Sequence, residues 1–419
     1  MKNKAGLIVL AVSAALAAGF SGSAMATNGY QLIGIGQYAV GMGGAVVAAP
    51  DDPLSAAISN PAGLANIRPQ AAYSAEIFNP IRKTNFGFGE FGSHSNVYGV
   101  PAIGWVAPAF GDGIVFGGGV YGSSGLGTNY LQSTPYGTIQ AYSNIMFMQM
   151  APSLAMKVNH HLSLGVSLNI SAEQASFQQT FGGAGLNLAS PSWAYGVGAT
   201  IGALYKVNNM VTLGFTYKTP IAFTPLTWQE TGQEVPTGPG TFLAGNAGQY
   251  SGHLNYPQQI ALGLAIRPIP QWLISVEGQW INWHATMNNF TIYGPWNGPN
   301  SIALPMHWKN EWVANIGTQY DVNHWLQVRM GYAYGTNPIS SSNIGNNLIF
   351  PAIVENAITF GSTQKLGMGW KLTEAYMHEF SNTVTGTSPF AQVFPPNSLQ
   401  PASATLSENS YGIQVGYDF

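Results

Sequence analysis

Apolar and polar side chains alternate along most of this chain with the two-residue period of β-strands. The last segment, residues 411–419, places five apolar side chains on one face and small or polar ones on the other. In water, an apolar outer face on a terminal strand would promote aggregation. In a membrane barrel, the same face lies against lipid and the polar face lines the lumen. The segment therefore predicts the closing strand of a transmembrane β-barrel.

Segments with this alternation that are bounded by turn residues predict about fourteen strands. They span residues 70–80, 96–108, 113–122, 138–156, 161–178, 192–206, 210–224, 250–267, 271–290, 306–320, 324–336, 353–364, 367–382 and 405–419. Short and long connections alternate along the chain, which is typical of outer-membrane barrels with tight periplasmic turns and long outer loops. We therefore predict an all-β fold, a closed antiparallel barrel. A soluble sandwich or propeller would leave the alternating loop lengths unexplained.

Composition supports a surface covered by lipid rather than by water. Charged residues make up 7% of the chain, whereas hydrophobic residues make up 46%. An ordinary soluble domain has about 25% charged residues. The formal net charge of −3 gives no basic surface for nucleic acid, and without cysteine the chain has no disulfides. Strand pairing and barrel closure must therefore stabilise the fold.

Both ends of the chain indicate the same destination. Lys2 and Lys4 precede an apolar stretch over residues 5–20, and Ala24-Met25-Ala26 forms a small-x-small cleavage site. This pattern predicts a signal peptide over residues 1–26, and the apolar stretch is too short for a retained anchor helix. The aromatic C-terminal residue, Phe419, resembles the recognition signal of outer-membrane barrels. We predict export to the outer membrane of a Gram-negative cell, with a barrel over residues 70–419.

Residues 27–69 lack the alternation. Asp52-Pro53 and Asn60-Pro61 each place a capping side chain directly before proline, which favours the start of a helical turn. A backbone with this many polar groups cannot lie in lipid. We therefore predict that residues 27–69 form a plug, or hatch, inside the barrel.

Four neighbouring strands carry charged residues whose parity directs them into the lumen. These residues are Glu277, Lys309, Glu311, Arg329 and Glu355. Inward placement is expected because a charge at the lipid midplane costs about 2–4 kcal/mol for Lys or Arg. We predict a salt-bridge network between wall and hatch, with direct substrate contact as the alternative. The parity of residues 367–382 stays open because their charges fall on both faces.

Several blocks along the mature chain resemble the FadL/TodX family of outer-membrane transporters of hydrophobic compounds. They are Gly34-x-Gly36, Gly41-Met42-Gly43-Gly44-Ala45, Asp51-Asp52, Asn60-Pro61-Ala62, Leu304-Pro305-Met306 with Trp308, and Arg329-x-Gly331-Tyr332-Ala333-Tyr334 with Pro338. The resemblance implies a fourteen-stranded barrel, an N-terminal hatch, and lateral exit of fatty acids or other apolar molecules. The exit would lie at an inward kink of the third strand, in contact with Asn60, Pro61 and Ala62.

The resemblance also suggests where a substrate would pass. Gly117, Gly118 and Gly119 lie in the third predicted strand and would permit a kink, although they could instead relieve crowding against the hatch. Apolar residues of the long outer loops are predicted to capture the molecule outside the cell. These are Leu226, Trp228, Phe242, Leu243, Leu348 and Phe350. Passive uptake by capture, hatch movement and lateral release into the membrane is the predicted function.

Two other classes of protein compete with this prediction. A non-selective aqueous porin would need an open lumen with opposed charge rings, whereas this chain devotes about forty residues to a plug. A barrel enzyme would need a nucleophile paired with a positioned histidine, and the sequence shows no such motif. We predict a monomeric transporter without cofactor or metal. Its partners are a hydrophobic ligand, outer-membrane lipid and lipopolysaccharide, and the barrel assembly machinery. Fatty acids, alkanes and monoaromatic hydrocarbons all remain possible substrates.

Overall fold

The structure is a computed structural model. It describes residues 28–111, 113–182, 184–230, 246–296, 299–392, 394–395 and 397–419. The predicted signal peptide, residues 1–26, lies outside the described residues.

Fourteen antiparallel strands of the described residues form the wall. They are β1 (Gln70–Asn85), β2 (Tyr98–Val106), β3 (Ile114–Thr134), β4 (Gly137–Lys157), β5 (Leu162–Phe181), β6 (Ala184–Lys206), β7 (Val211–Lys218), β8 (Gln259–Ile269), β9 (Trp272–Ile281), β10 (Glu311–Asp321), β11 (Leu326–Gly335), β12 (Asn356–Gly367), β13 (Trp370–Gly386) and β14 (Ala402–Asp418). Each strand pairs with the next along the chain, and β1 also pairs with β14. The closed barrel predicted from the sequence is confirmed, and closure removes the free strand edges.

Several strands extend beyond their predicted ends, and the third and fifth are examples. We expected the third and fifth strands to stop at residues 122 and 178, whereas β3 continues to Thr134 and β5 to Phe181. The ends of β3 and β4 form a tight hairpin in which Thr134 pairs with Gly137. Above the bilayer, neither face of a strand needs to be apolar. Backbone pairing therefore continues where the hydrophobic alternation has already ended.

The outer face of the barrel is apolar and the inner face is polar. Leu262 and Trp312 are 61% and 64% exposed on the outside. Tyr411 of β14 and the C-terminal Phe419 are exposed, whereas Gln414 is buried inside. This arrangement is the one that the alternation predicted, and it lets lipid solvate the wall.

The register of β13 decides the parity that the sequence left open. Lys371 and Glu379 pair with inward-facing residues of β14, and Glu374 and His378 pair with outward-facing ones. Glu374 accepts a hydrogen bond from the hydroxyl of Tyr411 at 3.3 Å. This strand therefore carries charged residues on both of its faces.

The hatch, residues 28–69, contains three short helical segments: α1 (Gln37–Gly41), α2 (Pro53–Ile58) and a 3-10 helix (Pro61–Asn66). The Asp52 side chain accepts a hydrogen bond from the Ser55 amide at 2.8 Å, and Asn60 accepts one from the Ala62 amide at 3.1 Å. These are the two proline-led turns that the capping residues predicted. Helix α1 was not expected, because it has neither a capping side chain nor a charge pattern.

The extracellular half of the lumen is closed by a layer of loops. It contains α3 (Trp283–Met287), a second 3-10 helix (Ser341–Asn346) and a four-stranded sheet. The strands of this sheet are Leu226–Glu230, Gly248–Gly252, Asn289–Tyr293 and Ser301–Pro305. Within the described residues, no helix has the length and apolar character needed to cross a membrane. The largest apolar core lies between this layer and the hatch.

Candidate functional site

The wall has a break between β2 and β3. Their pairing ends at Ala102 and Tyr121, and higher up the amide of His94 donates to the carbonyl of Asn129 at 2.8 Å. Between these two points lie residues 98–101 of β2 and residues 122–128 of β3, which have no register with each other. We call this gap the window. Its position within the third strand is where an opening toward lipid would have to form.

At the window, β3 stays paired with β4 but turns away from β2 and toward the hatch. Its pairing with β4 shifts register between Gly122 and Ser124, which marks a β-bulge. Below this point, Phe116 and Val120 are exposed on the outer face. Over residues 122–128 all residues but Ser123 are buried, so the alternation of exposed and buried residues stops. A strand that is covered on both faces no longer borders the lipid.

The start of the hatch pairs with this displaced part of β3. The amide of Gly125 donates to the carbonyl of Tyr30 at 3.1 Å, and Gln31 forms a β-bridge with Ser124. These backbone contacts satisfy groups that β2 no longer reaches. The first residues of the hatch therefore border the window from inside.

The kink that we predicted at Gly117, Gly118 and Gly119 lies instead at residues 122–128. The three glycines pair with both β2 and β4. A Cβ atom on Gly117 would lie 2.7 Å from the Trp105 carbonyl oxygen and 2.9 Å from the Leu64 side chain. Gly117 therefore makes room for packing against the hatch, whereas Gly118 and Gly119 are crowded mainly by the neighbouring strands of the wall.

The segment Asn60-Pro61-Ala62 holds the hatch to the wall. The amide nitrogen of the Asn60 side chain donates to the carbonyls of Val47 at 2.7 Å and Ala203 at 3.1 Å. All three residues of the segment are buried. The segment faces β5 and β6, so it lies away from the β2–β3 window, and its contact with a substrate stays a prediction.

The hatch packs closely against glycines of the wall. A Cβ atom on Gly165 would lie 2.3 Å from the carbonyl carbon of Pro61, and one on Gly202 would lie 2.2 Å from the Asn60 side-chain oxygen. Gly214 and Gly317 meet the hatch backbone equally closely, at 2.4 Å and 2.3 Å. The hatch is therefore fitted against bare backbone on several sides of the lumen.

Two of the predicted lumen charges contact the hatch directly. One carboxyl oxygen of Glu277 accepts hydrogen bonds from the amides of Val46 and Val47, both at 3.0 Å. The guanidinium of Arg329 lies over the Tyr38 ring, 4.7 Å from its centroid. Burial raises the pKa of the Tyr38 phenol well above its usual range, so this ring stays neutral beside the cation. Wall and hatch are thus joined through backbone amides and an aromatic face.

The predicted salt-bridge network was wrong. Among the described residues the ion pairs are Lys83–Glu90 and Lys371–Asp418, and neither pair contains a predicted lumen charge. Arg329 donates instead to the neutral side chains of Gln319, Gln327 and Thr363. Neutral acceptors satisfy a buried guanidinium, and the sequence could not show which acceptors the neighbouring strands would bring close.

The remaining three lumen charges occupy different environments. Glu311 is fully buried and accepts a hydrogen bond from the Trp283 indole at 3.0 Å. Lys309 is exposed and precedes β10, and Glu355 precedes β12 and is half-buried. Strand parity does not apply outside a paired strand, so the inward direction of Lys309 and Glu355 stays a prediction.

The predicted capture residues that the structure describes lie in the interior. Leu226, Trp228, Leu348 and Phe350 are at most 4% exposed and belong to the largest apolar core. The rings of Trp228 and Phe350 both pack against Phe177. Phe242 and Leu243 lie outside the described residues. In this closed arrangement the four residues line an apolar interior, and capture at the surface stays a prediction.

Sequence reasoning missed an aromatic cluster that meets the window. Its members are Tyr30 of the hatch, Phe147 of β4, Tyr256, Trp283 and Trp308. Tyr30 stacks on Phe147 at 5.2 Å between ring centroids and lies 4.3 Å from Trp283. Burial raises the pKa of the Tyr30 phenol, and Tyr256 and Glu173 add to the rise. The five residues are far apart in sequence. Trp308 belongs to a block of the family resemblance, but no sequence pattern placed it beside the other four.

Cavities lie on both sides of the hatch. On the periplasmic side are cavities of about 620 Å3 and 470 Å3 that share Asp51, Asn66 and Arg267. A smaller cavity of about 80 Å3 lies between hatch and wall and is lined in part by Tyr121, Ser123 and Gln31. It therefore reaches the inner side of the window.

The described residues contain no group of three or more His, Cys, Asp or Glu side chains placed to hold a metal ion. The site consists instead of apolar rings, a broken strand pairing and a fitted hatch. Such an arrangement suits an apolar molecule, because it offers an apolar interior beside a break in the strand pairing.

Comparison with known proteins identifies the class. A family model described as "Outer membrane protein transport protein (OMPP1/FadL/TodX)" matches residues 8–419. The chain therefore belongs to the FadL/TodX family of outer-membrane transporters of hydrophobic compounds, a family of transporters and channels rather than enzymes. It is an outer-membrane protein. A comparison with curated proteins gave no match.

Three solved structures share the fold. A FadL homologue of Pseudomonas aeruginosa is 18% identical with a TM-score of 0.74, and the match covers 93% of this chain and 100% of that one. The Pseudomonas putida toluene transporter TodX is 19% identical with a TM-score of 0.72, covering 92% and 99%. The Ralstonia pickettii toluene transporter TbuX is 18% identical with a TM-score of 0.71, covering 92% and 98%. At these identities the likeness concerns the fold alone.

Proposed function

We propose that this protein takes up hydrophobic small molecules passively and releases them sideways through the window into the outer membrane. Fatty acids and hydrocarbons both belong to this substrate class. The observation that carries the proposal is the inward turn of β3 at residues 122–128, next to the start of the hatch. A molecule that reaches Tyr30 from the apolar core would stand beside the gap in the wall.

An apolar interior supplies the driving force for capture. The aromatic cluster continues upward into the core that contains Trp228 and Phe350. A molecule that buries about 200 Å2 of apolar surface there would gain roughly 5 kcal/mol. Lateral exit then keeps the molecule out of water, because lipid lies directly outside the wall.

The hatch makes an aqueous route unfavourable. It is fitted against wall glycines, and the cavity between hatch and wall measures only about 80 Å3. A non-selective porin would need this space to be open. Liposome swelling with small sugars tests this alternative, and we expect slow swelling for the wild-type protein.

A removable cross-link across the window tests the route. A Cβ atom on Gly122 would lie 3.4 Å from a side-chain carbon of Val100, so a Val100→Cys/Gly122→Cys pair can form a disulfide. The chain has no cysteine of its own. We expect the oxidised variant to lose uptake of labelled oleate or toluene in cells that lack other transporters, and we expect dithiothreitol to restore it.

The matched control places the cross-link in an unbroken part of the wall. Leu262→Cys/Gly278→Cys joins register partners of β8 and β9. Its oxidation should leave uptake unchanged. Full uptake by the completely cross-linked window variant would reject lateral release.

A further inference from the structure

Glu173 stands in the apolar interior beside the window. It lies on β5, pairs in register with Phe147 of β4, and Phe147 pairs with Ser124 of β3. All three side chains are buried on the inner side of the wall. Since neighbouring strands are about 4.8 Å apart, Glu173 lies about 10 Å from the bulge that borders the window. A molecule passing from the aromatic cluster to the window would pass this carboxyl.

The carboxyl group of Glu173 is completely buried and unsatisfied. Its exposure is 0%, and neither carboxyl oxygen has a hydrogen-bond partner among the described residues. The hydroxyl of Tyr30, which Glu173 influences electrostatically, also lacks a partner among them. A buried polar group without a partner costs about 1–3 kcal/mol, so such groups in a folded protein need an explanation.

Further unsatisfied polar atoms follow Glu173 down the same strand. Ser171 and Asn169 face inward below it, and the hydroxyl of Ser171 and the side-chain oxygen of Asn169 have no partner in the described part of the chain. Asn169 lines the cavity of about 80 Å3, together with Gln31 of the hatch. Unsatisfied polar atoms of β5 therefore line the lumen between the aromatic cluster and the cavity beside the window.

Three basic groups of the described lumen are either engaged or distant from Glu173 along the wall. Arg329 lies over the Tyr38 ring and donates to three side chains. Arg82 donates to the hydroxyl of Tyr98 at 3.0 Å. Lys218 lines the small cavity, and its register partner Thr200 pairs with Ser167, six residues along β5 from Glu173. A substrate carboxylate near Glu173 would therefore meet a second carboxyl without a free cation beside it.

We propose that Glu173 is a specificity-determining residue that favours apolar molecules with a hydrogen-bond-donating head, a hydroxyl or an amine, over carboxylates. The apolar part of the molecule would pack among Tyr30, Phe147 and Trp283. Its head would donate to Glu173, and an ammonium head would gain cation–π contact with the same rings. This inference rests on the proposed uptake function and adds the chemistry of the head group.

The cavity must enlarge for such a molecule to enter. About 150 Å3 of apolar cavity holds a benzene ring, which is more than the 80 Å3 beside the window. Tyr30 and Gln31 belong to the start of the hatch and border this space. Their displacement would open it without any change in the wall.

The test compares four probes that share one apolar body: ethylbenzene, 4-ethylphenol, 4-ethylbenzylamine and 4-ethylbenzoate. Binding is measured by titration calorimetry on the full protein in lipid nanodiscs, with empty nanodiscs as the blank. For the wild type we expect the phenol and the amine to bind at least about tenfold more tightly than the benzoate. Glu173→Leu should remove this preference while it retains ethylbenzene binding. Glu173→Gln, which keeps an acceptor oxygen, should retain the phenol and lose the preference for the amine.

Glu374→Leu is the matched control, since Glu374 points outward on β13. It should leave all four affinities unchanged, and heat-dependent electrophoretic mobility shows that each variant has closed its barrel. Equal or tighter binding of the benzoate by the wild type would overturn the proposal. So would a donor preference that survives in Glu173→Leu. Loss of this preference alone leaves the uptake function standing, whereas absence of ethylbenzene binding in the wild type would contradict uptake itself.

Discussion

The fit of the hatch against wall glycines gives a sharp prediction for Gly165. Gly165→Ala would add a Cβ atom 2.3 Å from the carbonyl carbon of Pro61 and 2.4 Å from the amide nitrogen of Ala62. Both atoms belong to the backbone, so no side-chain rotation relieves the clash. Ordinary van der Waals contact begins at 3.4 Å, so the segment must move by about 1 Å.

The movement should loosen the hatch rather than the barrel. Overpacking of this kind costs about 1–3 kcal/mol. The contact of Pro61 lies next to Asn60, whose side chain donates to Val47 and Ala203 at 2.7 Å and 3.1 Å. Strain at Pro61 therefore acts on the hydrogen bonds that tie the hatch to the wall. The backbone of β5 is held by β4 and β6 on both sides and should keep its register.

Two measurements report on this change. Hydrogen exchange of the amides in residues 45–66 should speed up by about 5- to 150-fold, the factor that 1–3 kcal/mol implies. Liposome swelling with small sugars should also become faster as the lumen opens. Gly278→Ala is the control, because a Cβ atom at Gly278 meets nothing within 4 Å. If Gly165→Ala and Gly278→Ala gave the same exchange and swelling rates, the inferred fit between hatch and wall would be refuted.

Two further substitutions test other hatch contacts. Glu277→Leu removes the acceptor of the Val46 and Val47 amides and should weaken the hatch by about 3–6 kcal/mol, since two hydrogen bonds to a charged group contribute about 1.5–3 kcal/mol each. Faster exchange confined to those two amides would support this, and unchanged protection would contradict it. Asn60→Ala removes the N-cap and both carbonyl contacts and should cost about 1–2 kcal/mol. Protease cleavage within the hatch should rise while the barrel stays heat-modifiable, and resistance equal to the wild type would count against the role of the cap.

Part of this architecture was available from the sequence. A period of two in side-chain polarity fixes the two faces of each strand wherever one face meets lipid, so strand number, closure and the outward face of β14 were predictable. The caps at Asp52 and Asn60 act over three residues at most, and both predicted turns were therefore found. These are local features, and they do not depend on where the rest of the chain lies.

The tertiary structure alone decided the site. The inward turn of β3 lies at residues 122–128 rather than at the three glycines, because the turn depends on where β2 stops pairing and where Tyr30 and Gln31 arrive. Likewise, Lys309 falls outside its strand, and Arg329 found neutral partners on neighbouring strands. The position of Glu173 near the window follows from its register with Phe147, which in turn pairs with Ser124. Contacts between distant segments depend on strand register and closure, and the alternation of one strand contains no information about either.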